Sequence, residues 1–257
     1  MKATRRFTIW KGPSELDGKP IMLVATLGAQ NKENKKTGRM WQTYILRSDM
    51  NPVQAAQERE DASICGSCPH KLKENGTCYV RLDTGPLMVY KAVQRGVYPQ
   101  RSLVEAQDLF AGEVVRMGSY GDPCAVPFSV WSIILGRCKG HTGYTHCWKD
   151  TRFQSFAGLL MASCDNLDED AQAKARHWRT FTVVSTESYD TRHGLPVVPN
   201  SFLCPASKQA GQKLTCSQCL ACDGNSTGRK ASVYIPVHGV AYKVARFNTL
   251  ITIGRPS

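Results

Sequence analysis

The sequence predicts an α/β chain of mainly parallel strands. The expected architecture is a partial or complete parallel α/β barrel with an N-terminal β meander and a cysteine-rich C-terminal metal-binding segment. Three observations carry this expectation. Beyond residue 50, short apolar runs alternate with helical patterns, the texture of βαβ units. Before residue 50, the apolar runs are separated only by turn residues. Seven of the eleven cysteines fall into two compact groups, one of them in the C-terminal quarter. The expected organisation is a basic meander over 1–50, an α/β core over 51–203, and a segment over 204–257 that holds cysteines, a last strand and a basic tail.

The elements follow in order. Residues 7–10, 21–27 and 40–46 are aromatic, β-branched and alternating, hence strands. Gly12-Pro13, Asp17-Gly18 and the 34–38 stretch supply their turns. Residues 51–60 predict a short helix with Asn51 as cap and Pro52 in its first position. A strand is expected over 78–82 and a helix over 86–96. The next helix spans 102–110, capped by Ser102 with Glu105 three residues on. Strands over 113–118, 144–148, 159–163, 180–185 and 233–237 alternate with helices over 128–138 and 168–178.

Of the 257 residues, 42% are hydrophobic and 21% charged, which excludes general disorder. No apolar run reaches the length of a membrane-spanning helix, so no membrane partner is expected. The first residues lead into a strand pattern without an apolar signal core, so the expected location is cytoplasmic. In that compartment clustered thiols are ligands rather than disulfides. The net charge of +12 is uneven. Residues 1–47 hold ten Lys/Arg against three Asp/Glu, residues 224–257 five against none, and the middle is neutral. Lys32, Lys35, Lys36 and Arg39 in one loop are candidate phosphate contacts, which makes nucleic acid a candidate partner. The same loop also reads as a solvated hairpin tip. Protein partners are not indicated.

The first cysteine group is Cys65, Cys68 and Cys78, the second Cys204, Cys216, Cys219 and Cys222. Two-residue spacing lets two thiolates on one turn face the same metal. Four thiolates close a zinc site or fill the corners of an iron–sulfur cluster. Three leave one position open to substrate, unless His70 closes a zinc site as fourth ligand. One or two iron–sulfur clusters are therefore expected, with zinc as the alternative. Cys124, Cys138, Cys147 and Cys164 read as buried hydrophobes. His141, His177 and His193 read as surface. In parallel α/β sheets the chemistry gathers at C-terminal strand ends, which makes Asp122, His146, Glu187 and His238 the candidate catalytic groups. His146 also reads as a core residue.

The ordered set Cys65-Gly-Ser-Cys-Pro-His, Cys78-Tyr, Gly121-Asp-Pro, Gly143-Tyr-Thr-His, Met161-Ala-Ser, Trp178-Arg-Thr-Phe, Cys204-Pro-Ala-Ser and Cys216-Ser-Gln-Cys-Leu-Ala-Cys resembles a family of phage-encoded cysteine-rich proteins. The resemblance covers about residues 5–240 and implies the cytoplasm of an infected bacterium. More remotely the chain is similar to radical-SAM-like iron–sulfur barrels, where three cysteines hold a cluster at the barrel mouth. Here the three are spaced by two and then nine residues, not three and then two. No glycine-glycine-acid motif marks an S-adenosylmethionine site, so that cofactor enters only through the resemblance. Two functions follow. One is an iron–sulfur enzyme acting on a nucleotide, nucleic acid or peptide. The other is a zinc-stapled basic protein that binds nucleic acid in phage replication or counter-defence, without catalysis.

Overall fold

The computed structural model describes residues 5–28, 34–186, 198–228 and 231–253. Strands β1 (Arg6–Pro13), β2 (Pro20–Leu27) and β3 (Trp41–Arg47) form the antiparallel meander. Four helices follow: α1 (Pro52–Gln57), α2 (Ala62–Cys65), α3 (Gly85–Gln94) and α4 (Leu103–Phe110). They return the chain to β4 (Val114–Tyr120), which pairs parallel with β3, and α5 (Phe128–Leu135) leads to β5 (Gly140–Thr142), parallel to β4. The meander and the first βαβ units thus share one five-stranded sheet across residue 50.

The second sheet begins one residue after the first ends. Strand β6 (Tyr144–Thr145) is followed by β7 (Met161–Cys164), α6 (Leu167–Ala175), β8 (Thr180–Val184), β9 (Ser201–Leu203), α7 (Cys216–Cys219), β10 (Ser232–Pro236) and α8 (Ala241–Ile253). Its order is β6-β7-β8-β10-β9 and every pair is parallel. The chain changes sheets at Gly143. A side chain there would come within 2.4 Å of Leu160 and 3.0 Å of Met117. The α/β expectation holds in this form. A complete barrel does not, since the described strands make two five-stranded sheets and no closed ring.

The main core runs from the first strand to Trp178. Phe7, Trp41 and Phe110 meet ring to ring at 5.3–5.8 Å, and Trp131 and Trp148 are fully enclosed. Their indole N–H groups donate to the Pro123 and Ser163 carbonyls, which satisfies the one polar atom that each buries. A second, smaller core gathers Met161, Val233, Ile235, Cys204 and Cys222. No helix among the described residues is long and apolar enough to cross a membrane.

Local capping follows the sequence closely. The Asn51 side chain accepts from the N–H groups of Val53 and Gln54, and Ser102 and Glu105 form a reciprocal capping box. Three expectations are corrected. Residues 78–82 form no strand: the Cys78 N–H donates to the His70 carbonyl and closes a loop instead. The strand expected over 144–148 stops at Thr145 and becomes a 3-10 turn, Cys147–Lys149. His141 is not at the surface; it is 6% exposed, with Nε2 3.0 Å from the Leu159 carbonyl.

Candidate metal centres

Helix α2 ends on Cys65, and Gly66 (φ +54°) turns the chain toward Cys68. The loop closes at Cys78, and α8, which the sequence leaves inside a basic tail, caps it. Lys243 Nζ donates to the Cys78 carbonyl, and the Phe247 ring lies 5.8 Å from that of His70. Cys65, Cys68 and Cys78 are close enough for each thiolate to disfavour ionisation of another. Burial pushes the Cys65 and Cys78 thiols up, and Cys68 adds to both shifts. Three thiolates this close together cannot all stay charged without a cation beside them, which is the electrostatic condition for a metal.

Beside these thiols stands a second arrangement. His70 Nε2 is 2.9 Å from Asp165 Oδ1, and its Nδ1 is 2.6 Å from Thr77 Oγ1. His146 Nε2 lies 3.6 Å from Asp165 Oδ2, too far for a hydrogen bond. Burial opposes charge on His146, but Cys68 and Asp165 outweigh it and push its pKa well up. Burial likewise opposes ionisation of Asp165, yet the two imidazoles hold it well below the usual carboxylate range. Two buried polar atoms at this site make no hydrogen bond, His146 Nε2 and Tyr120 Oη. The Tyr120 hydroxyl, on a residue 4% exposed, lies within electrostatic reach of Cys65 and Cys78. Orphaned donors facing thiols are what a metal–sulfur centre would satisfy.

Asp122 has a different place. Its carboxylate accepts from Thr145 Oγ1 (2.8 and 2.9 Å), the Cys124 N–H (3.0 Å) and the His146 N–H (2.9 Å). It fixes the turn that presents His146, and its lone pairs are engaged. Asp122, Cys124 and Cys147 bring their ligand atoms within 4.8 Å of one another. The Asp122 oxygens are already taken by these hydrogen bonds, however, so this group lacks a free carboxylate for a metal.

The second set surrounds a cavity of about 20 Å³ lined by Cys204, Cys216, Cys219, Cys222, Tyr144 and Val233. Burial pushes the Cys204, Cys216 and Cys222 thiols up, and the other thiolates of the set add to each shift. Arg116 and Lys36 lower the shift at Cys216. The loop after β2 is docked on this set. The Cys216 N–H donates to the Lys36 carbonyl and the Ser217 N–H to the Thr37 carbonyl, both at 3.0 Å.

The remaining candidates divide. Lys35 is exposed, whereas Lys36 Nζ donates to His238 Nε2 (2.8 Å) and Arg39 forms a two-pronged ion pair with Glu113 (2.9 and 3.0 Å). Burial and the Lys36 charge push the His238 pKa down, so this imidazole is neutral and accepts. Lys32, Glu187 and His193 lie outside the described residues. His70 and Asp165 are 95 residues apart, and no spacing in the sequence announces their meeting; only their positions beside a cysteine turn and after a strand hint at it. Searches against protein-family models, curated proteins and solved structures return no match to this chain.

Proposed function

We propose that the protein is an iron–sulfur protein with two thiolate centres, and that the three-thiolate centre at Cys65, Cys68 and Cys78 is the reactive one. The observation that carries this reading is the pairing of three mutually interacting thiols with His146, His70 and Asp165 at their edge. Spacing also supports it. A single tetrahedral zinc holds its sulfurs about 3.8 Å apart, as a Zn–S length of about 2.3 Å requires. Among the described residues, neither cysteine set brings three ligand atoms within 4.8 Å of one another. Cluster corners stand farther apart than the ligands of a single ion. A bound cluster would supply electron transfer or an open iron position. The chain's own groups would then do the rest. Asp122 holds the His146 turn, Asp165 orients the His70 imidazole, and Tyr120 Oη has a hydrogen bond to give. The parallel runs β3-β4-β5 and β6-β7-β8-β10, in two separate sheets, are what the likeness to radical-SAM-like proteins draws on, with a nucleotide, nucleic acid or peptide as substrate.

Zinc is the second reading, favoured by two observations. His70, His146 and Asp165 do lie within 4.8 Å of one another, a single-ion spacing. The cavity among the second set, about 20 Å³, has room for one water-sized body. On this reading the chain is a stapled basic protein that binds nucleic acid, with Lys35 as the exposed loop cation.

Anaerobic purification followed by iron, sulfide and zinc analysis decides between them. The iron–sulfur reading expects a brown protein with several irons and sulfides per chain. A colourless protein with stoichiometric zinc and salt-dependent nucleic-acid affinity overturns it.

A further inference from the structure

Arg47, Arg179 and Arg116 are drawn into the body of the protein, but only two of them have a carboxylate. Arg47 is held by Asp49 and Glu60, and Arg179 by Asp223. Arg116, half-buried on β4, donates from Nη2 to Tyr79 Oη at 2.7 Å. Among the described residues, the ionisable groups that act on it most are Tyr79, Tyr144 and Cys216, none a carboxylate. A guanidinium withdrawn from water without a carboxylate hydrogen-bonded to it is costly, and its planar fork matches the oxygens of phosphate or carboxylate.

Arg116 also borders a cavity of about 210 Å³, together with Asn34, Thr37, Arg39, Gln42 and Tyr44. Among the described residues, no acidic side chain lines it. The volume exceeds the roughly 150 Å³ that encloses a benzene. It falls short of the roughly 300 Å³ at which drug-sized pockets begin. An anionic head group fits, and the rest of a larger ligand would lie outside.

We propose that this cavity binds the anionic end, phosphate or carboxylate, of a ligand whose charge is met by Arg116. Tyr79 follows Cys78, and Cys216 belongs to the second set, so Arg116 is tied by a hydrogen bond to the loop of one thiol set and lies within electrostatic reach of the other. The inference stands whichever metal the thiols hold.

Calorimetric titration of the purified metal-loaded protein with inorganic phosphate and, separately, with acetate tests it, at constant ionic strength and with chloride as control. One of the two anions is expected to saturate a single site, which identifies the head group. Arg116→Gln is expected to weaken that binding at least tenfold with metal content retained. Should that variant fail to fold, Gln42→Ala reads the same cavity and is expected to weaken binding as well. Absence of saturation beyond chloride in the wild type overturns the proposal, and so does wild-type affinity in the folded variant used.

Discussion

Arg179 and Asp223 form an ion pair at 2.7 Å with both side chains only 4% exposed. The same guanidinium donates to the carbonyls of Ala221, Gly224 and Ala231. Arg179 immediately precedes β8, and its four partners flank Cys222 and the start of β10. One side chain therefore locks the last cysteine of the second set onto the parallel sheet. Removing one partner of such a pair strands a buried charge, at a cost of about 3–5 kcal/mol. Arg179→Ala should lose that much in chemical denaturation, and the second centre should lose metal before the first. Arg179→Lys should not restore it, because an ammonium cannot reach several carbonyls at once. A loss under about 1 kcal/mol, the size of an exposed pair, would show that the lock is not structural.

The thiols should differ by role. Cys216→Ser and Cys219→Ser are expected to lower the melting temperature and the metal content together, because a metal centre contributes folding energy directly. Cys138, half-buried near the end of α5, should tolerate serine with a change of no more than about 1–2 kcal/mol, the ordinary range for a single site. Equal melting temperatures in all three variants would count against ligation by the second set.

The docked loop gives a third prediction. Gly38 has φ +67°, and a Cβ there would come 2.2 Å from Ser217 Oγ and 2.7 Å from Thr215 Oγ1. Gly18 has a similar φ of +77° with nothing within 4 Å, so it isolates the backbone effect. Gly38→Ala should cost about 1–3 kcal/mol through crowding and lower metal retention by the second set. Gly18→Ala should cost less and leave metal content alone. Matching losses would mean that the contact with α7 carries no weight.

What the sequence made legible was local. Asn51-Pro52 and Ser102 with Glu105 mark helix starts through caps that need only neighbouring residues, and the Cys65–Cys68 spacing marks a turn for the same reason. Long-range partners were not legible. The loop at 34–38 reads as a free hairpin tip, because nothing in its composition encodes the N–H groups of Cys216 and Ser217 that bond to it. Strands β5 and β6 have three and two residues, too few for a period of two to register, so the change of sheets at Gly143 was hidden. Helix α8 was missed because its Lys243 and Arg246 read as tail charge, whereas its packing depends on His70 and Cys78 far away in sequence.

The last prediction concerns acid. Arg47, 5% exposed, reaches Asp49 at 2.7 Å, Glu60 at 3.2 Å and Ser63 Oγ at 3.2 Å. Ser63 lies in α2, two residues before Cys65, so this cluster braces the helix that presents the first thiol. The hydrogen bond from Arg47 holds the Asp49 carboxyl below its ordinary value. A depressed carboxylate stabilises the fold above its unfolded pKa of about 3.9, and the contribution is lost as pH falls through the folded value. Asp49 is 47% exposed, so solvent screening keeps the pair to about 1 kcal/mol or less. Asp49→Asn should therefore lie slightly below the wild type in urea midpoint at pH 7, and the two curves should converge as the pH drops below about 4. A gap that stays constant from pH 7 to pH 3 would mean that packing of the Asp49 side chain, not its charge, supports α2.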